Sequence, residues 1–395
     1  LSALYFNTEG YNNTANGNQA LSYNTFGANN SANGNKALYS NTNGNNNTAN
    51  GNQALFSNTI GGNNTANGNQ ALFNNTIGEN NTANGTFALF SNTIGNNNTA
   101  NGLSALYFNT EGYNNTANGN EALNQNTAGS DNTADGRWSL YYNTIGNSNT
   151  ATGIAALYSN TDGDTNAAFG RDALYYNTTG NNNTAVGYGA FSIGTSYSNS
   201  TGIGHDAEPG ASNSVRIGDN YVTWIGGHSA WNNTSDARVK KNITEDVKGL
   251  EFIKLLRPVT FNFDKNKIDQ ITGKIDSGRS DEKYEVETIK YSGFIAQEVE
   301  QASLLSGYAF SGVSKPKNDR KLYSLAYSEF VVPLVKAVQE QQAMIENQKN
   351  QLEVIIENQK NQLEVIIENQ KNQLEVQQQQ IDLLMRRIEA LENKK

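Results

Sequence analysis

The chain has 395 residues, 37 of them glycine and 4 proline, and a mean hydropathy of -0.65. That composition departs from ordinary globular enzymes and points to a fibrous or repetitive architecture. The lack of cysteine excludes disulfides and thiolate metal sites, and a formal net charge of -9 with no Lys/Arg stripe argues against nucleic acid or an anionic membrane as partner.

Residues 1–208 hold 11 acidic and 3 basic residues against 26 and 25 in the remaining 187, which places a sharp boundary near Pro209. Within them the pattern N-T-A-x-G-x-x-A-L-x-x-N-T-x-G recurs every 17 residues, its first glycine running from Gly17, Gly34 and Gly51 through to Gly204. Residues 1–18 repeat residues 103–120 letter for letter, so the chain is expected to open within a repeat, as part of a longer protein. A period this short predicts a stacked solenoid, in which each coil buries its apolar face only against its neighbours. Helix is disfavoured, since two glycines per repeat would each cost about 1 kcal/mol and Asn-Thr pairs favour turns. Ala15, Ala49 and Ala66 are expected to face inward, with Leu21, Leu55 and Leu72 filling the interior from the next strand. Stacked asparagines are expected to form amide ladders along the coils.

Tyr39, Phe56, Phe73, Phe90, Tyr107, Tyr141, Tyr158 and Tyr175 each follow the repeat leucine and would stack about 4.8 Å apart. Such a column can bind sugars or pack between subunits. Alternation turns it away from the leucine-lined interior, which favours packing between subunits. The stretches "NNTANG" and "NSNTATG" resemble the N-[ST]-x-A-x-G motif of YadA-like heads of trimeric adhesins. That resemblance implies a left-handed parallel β-roll and a trimer, although the coil here is longer than is usual in those heads.

Residues 209–234 read as a connector. Then come three blocks, "WNNTSDARVKKNITEDVKGLEFIKLLRPVTFNF", "YSGFIAQEVEQ" and "LYSLAYSEFVVPLVKAVQEQ". From these residues alone, Ser235 reads first as a helix N-cap, with Asp236 in the first turn and Lys240 and Lys241 on a solvated face. Ser235 and Lys240 would lie on different faces of a regular helix, so they can meet only in a loop or irregular turn. The three blocks together resemble the intramolecular chaperone domain at the C-termini of phage endosialidase tailspikes and other phage fibres, also used by a membrane-bound eukaryotic transcription factor. The resemblance spans residues 235 to about 340 and includes S-D-x-R-x-K at residues 235–240. It implies a small α+β domain over residues 235–333 that trimerises a fibre. A Ser/Lys dyad, Ser235 as nucleophile and Lys240 as base, then cuts the chain once between Thr234 and Ser235. A lysine serves as base when burial leaves it neutral. Asp236 is an auxiliary candidate that could orient either lysine, and Lys241 competes for the base role. His205 and His228 stand apart from any ligand cluster, so no metal or other cofactor is expected.

Residues 334–395 predict a coiled coil. "IENQKNQLEV" occurs three times at a spacing of 11, aligning Ile345, Leu352, Ile356, Leu363, Ile367 and Leu374, before Ile381, Leu384, Ile388 and Leu391 resume a heptad. Gln348, Gln359 and Gln370 would place polar layers in the seam. The expected molecule is therefore a homotrimer with a mainly β solenoid, a small α+β domain and an α-helical coiled coil. Its expected function is that of a tail fibre or surface adhesion protein, in a virion or at a bacterial surface, meeting a host receptor or glycan without membrane insertion. Alternatives are an autotransporter-like adhesin and a fibre whose chaperone domain does not cleave. The charged coil ending in Lys394 and Lys395 argues against the first, which should end in a membrane β-barrel. A polysaccharide-degrading tailspike is disfavoured because the repeats offer no carboxylate pair at a catalytic spacing.

Overall fold

The computed structural model describes residues 2–194, 196–226, 228, 232–272, 287–316 and 321–393; Trp231, Lys394 and Lys395 of the motifs above lie outside them. The chain falls into two compact units, Leu1–Ser229 and Ala230–Lys395.

The N-terminal unit is a parallel β-solenoid with one three-residue strand per coil. Its strands run from β1 (Thr14–Asn16) to β12 (Thr201–Ile203) and β13 (Val215–Ile217), forming one sheet in chain order. Successive strands pair in register with the repeat, Ala49 opposite Ala66 and Ala66 opposite Ala83, while the final step is shorter and sets Thr201 opposite Val215. From Leu21 and Ala32 onward the strand alanines and the repeat leucines are fully buried and form the core, while Leu4 and Ala15 of the first coil are partly buried against it.

The leucines do not sit on a second strand, as alternation suggested. They lie in a turn with left-handed backbone, φ being 50° at Leu55 and 51° at Leu72, each two residues after another left-handed position at Gln53 and Gln70. A left-handed non-glycine residue costs roughly 1–2 kcal/mol, and complete burial of leucine returns about 1.5–3 kcal/mol. Each leucine N–H also donates to the next coil, as from Leu55 to Ala71 O at 3.0 Å. Side-chain burial and the inter-coil bond together outweigh the backbone strain. At the corner itself only glycine fits: Gly51 has φ 146°, and a Cβ there would lie 2.3 Å from Gly68 O.

From Asn24 to Asn183 two asparagines per coil are buried, and apart from Asn177 Oδ1 their amides are hydrogen-bonded. In the first ladder Asn75 Nδ2 donates to Asn58 Oδ1 at 2.8 Å and to Gly78 O at 3.0 Å, while Asn92 Nδ2 donates to Asn75 Oδ1 at 2.7 Å. In the second, Asn64 Oδ1 accepts from the Asn81 backbone N–H at 3.0 Å, and Asn64 Nδ2 reaches Gly78 O at 2.8 Å. The amides replace water inside the turn, so their role is structural. Asn75→Ala strips Asn58 Oδ1 of its donor and opens a cavity, with an expected loss of about 2–4 kcal/mol. Asn74→Ala, at the half-buried neighbouring position, should stay within about 0.5 kcal/mol. Thermal unfolding of the two variants at one scan rate checks the difference.

The aromatic column stacks as expected. Tyr39–Phe56, Phe56–Phe73 and Phe73–Phe90 centroids are 5.1, 5.0 and 5.1 Å apart, with planes within 8° of parallel. It is interrupted between Tyr107 and Tyr141, where Asn124 donates to Ser104 O at 3.0 Å and accepts from Gln125 at 2.7 Å. Burial, then a hydrogen bond with Tyr142, pushes the Tyr158 hydroxyl up to about 12, so this rung stays uncharged at neutral pH.

The C-terminal unit contains short helix α1 (Leu250–Ile253), the antiparallel pair β14 (Val259–Phe261) and β15 (Tyr291–Gly293), and helices α2 (Lys265–Thr272) and α3 (Ala296–Ser306). The pair β16 (Val313–Ser314) and β17 (Ser324–Leu325) and the 62-residue helix α4 (Val331–Glu392) follow. Phe252, Val299, Ala302, Phe310 and Phe330 make its core. Helix α4 also caps α1: Leu250 N–H donates to Glu340 Oε2 at 2.8 Å. Gly249 permits that approach, since a Cβ there would lie 2.7 Å from Ala337 N. Beyond this docking site α4 is exposed on every side from residue 341 to 393, with Ile345, Leu352, Ile356, Leu363, Ile367 and Leu374 between 51% and 70% accessible. No helix among the described residues is long and apolar enough to cross a membrane.

Candidate active site

The segment carrying S-D-x-R-x-K folds as a single 3₁₀ turn, Ala237–Val239, between extended residues Asp236 (ψ 129°) and Lys240 (ψ 134°). Its backbone bonds are Val239 N–H to Asp236 O and Lys240 N–H to Ala237 O, both 3.2 Å. The cap is Asp236, whose Oδ1 accepts from Arg238 N–H at 2.9 Å. Ser235 therefore does not cap a helix, as one reading of the spacing held: the turn starts one residue later, which frees the serine hydroxyl.

That hydroxyl meets the lysine five residues on. Lys240 Nζ donates to Ser235 Oγ at 2.8 Å. A regular helix would have separated the two groups, and this irregular turn with extended flanks returns the second to the first. Thr234, immediately upstream, is exposed, as are Ser235, Lys240 and Lys241. A nucleophile and its base within 2.6–3.2 Å form the minimum arrangement for covalent catalysis. In this contact the Lys240 amine is the donor.

Asp236 pairs with Arg238. Arg238 Nε lies 3.0 Å from both of its carboxylate oxygens, and Nη2 completes the fork. The side-chain hydrogen bonds from Arg238, followed by its backbone N–H, hold the Asp236 carboxyl below its ordinary value. The guanidinium is raised by the same contact. Arg238 was missed in the sequence, where the signal was an arginine two residues after a capping aspartate. His228 is exposed and belongs to the N-terminal unit.

The turn is followed by Asn242, which is left-handed at φ 54°, and by chain that is exposed as far as Asp246 and buried at Gly249, just before α1. Further on, Arg257 Nε donates to Glu298 Oε2 at 3.1 Å, tying the segment before β14 to the first turn of α3. Glu300 accepts from Tyr323 OH at 3.0 Å and pairs with Lys315, which joins α3 to the β16–β17 pair. These blocks thus supply one folded support downstream of the turn.

Residues 235–306 match the family Peptidase_S74, chaperone of endosialidase. The match opens on Ser235 and closes on the last residue of α3. No curated protein and no solved structure matches the chain. The chain thus joins a parallel β-solenoid to a chaperone-of-endosialidase segment, an organisation like that of a tail fibre with its chaperone domain.

Proposed function

We propose that this chain is a homotrimeric fibre protein of a phage tail or cell surface, whose C-terminal unit guides assembly and then severs itself between Thr234 and Ser235. The observation that carries the reading is the contact between Lys240 Nζ and Ser235 Oγ at the first residue of the family match. A neutral Lys240 amine takes the Ser235 hydroxyl proton while Oγ attacks the Thr234 carbonyl carbon. The tetrahedral adduct collapses as its C–N bond breaks, and the proton passes to the Ser235 nitrogen. Water then hydrolyses the resulting Thr234–Ser235 ester, leaving a carboxylate on Thr234 and a free amine on Ser235. One water is consumed, and no cofactor enters.

Association supplies the missing condition. Desolvation favours the neutral form of a lysine, so covering the site in a trimer converts the amine from donor to acceptor. The exposed apolar stripe of α4 supports self-association, since an isolated helix roughly 90 Å long is unstable with that stripe in water. Three-fold assembly rests on the family resemblances, as does a host receptor or glycan as the partner of the shaft. Exposure of the dyad in one chain favours a second reading, a chaperone that assembles the fibre without cutting it.

Intact-mass measurement with a denaturing gel on freshly expressed protein separates the two. Autocleavage yields fragments ending at Thr234 and starting at Ser235, whose masses sum to the whole chain plus one water. Folded trimers that remain uncut establish the second reading, and a monomer by analytical ultracentrifugation removes both.

A further inference from the structure

We infer that Asp236 and Arg238 act together as positioning residues for the cleavage, a clasp that holds Ser235 and Lys240 in reach of one another. The inference rests on the proposed self-cleavage and adds a role for two side chains that touch neither reacting atom. Five extended residues span up to about 17 Å, whereas the dyad atoms must meet within hydrogen-bond distance. The chain achieves this through one 3₁₀ turn with two internal backbone bonds, too short to persist alone. Asp236 fastens its first residues by accepting from Arg238 N–H, and the Arg238 side chain forks back onto the same carboxylate. The closed loop fixes Asp236 and Arg238 relative to each other, one residue inside Ser235 and two residues before Lys240. The Asp236 carboxylate is taken up by Arg238, so its contribution is geometric.

The test follows cleavage of full-length protein after trimers form. Asp236→Ala should slow cleavage about 10- to 100-fold with trimer yield unchanged, the range expected when reacting groups are displaced by about 1 Å. Asp236→Asn, which keeps an oxygen for the Arg238 N–H, should recover a large part of the rate. Arg238→Lys, which keeps the charge without the fork, should behave like Arg238→Ala. The double variant Asp236→Ala/Arg238→Ala leaves net charge unchanged and should lose no more than either single change. Its pH–rate profile should fall uniformly without moving along the pH axis. Asp236→Ala cleaving at the wild-type rate overturns the inference, and so does a displaced pH profile in the double variant, which would assign the pair to proton transfer. Absence of cleavage in the unaltered chain is a different failure, since it removes the proposed self-cleavage itself.

Discussion

Lys240→Ala is expected to give trimers of full-length chain in which the cut between Thr234 and Ser235 is absent, and Ser235→Ala is expected to do the same. In the proposed mechanism the two changes remove different parts of one step: serine supplies the oxygen that attacks, lysine the site that accepts its proton. In groups that act as a unit, loss of either member costs about as much as loss of both, so the double variant should be no worse. Lys241→Ala should cleave nearly as the parent does, because among the described residues it is Lys240 that reaches Ser235 Oγ, at 2.8 Å. Fold is not at stake, as these side chains are exposed and lie outside the Phe252 core. Once trimers have formed, the rate should be independent of protein concentration, since nucleophile and scissile bond belong to one chain. Intact mass over time after assembly checks each statement. Persistent cleavage in Lys240→Ala would reassign the base, and cleavage in Ser235→Ala would end the dyad mechanism.

A chain ending at Thr234 should lose at least about 90% of its soluble trimer yield, whereas a shaft freed by cleavage after assembly should remain folded. Repetition is the reason. Coils of nearly identical sequence place alanine, leucine and asparagine at the same positions, so a slip by one coil keeps every inward side chain inward. Such slips differ little in energy and give many competing registers. Each strand is three residues long and gains its hydrogen bonds only from neighbouring coils, so nucleation is slow. A C-terminal helix that aligns subunits before the shaft folds would choose one register. Once formed, the stacked amides and buried leucines hold that register behind a high unfolding barrier. Refolding yields of the two chains, measured by size-exclusion chromatography, decide the matter. Equal yields would remove the chaperone role.

The solenoid, its glycine corners, the inward alanines and the amide ladders were legible from sequence because repetition turns each into a column: one residue type at one spacing. The apolar stripe of α4 was legible for the same reason, and the S-D-x-R-x-K motif because it stands beside two further blocks. The left-handed leucines, the Asp236 cap one residue past the expected one, the Arg238 fork, the Lys240–Ser235 contact and the Glu340 cap on α1 belong to the tertiary structure. Leu55 could be assigned to the interior by its apolar character, but the sign of its φ was settled by the Ala71 carbonyl of the next coil, which the residue's own identity does not encode. Likewise, Asp236 carries no mark that it should face Arg238 rather than a lysine. Glu340 reaches Leu250 across ninety residues because Gly249 lacks a side chain, a meeting that no local pattern announces. Spacing tells which residues share a face. Backbone handedness and contacts between distant segments depend on energies of a few kcal/mol that only the assembled chain brings together.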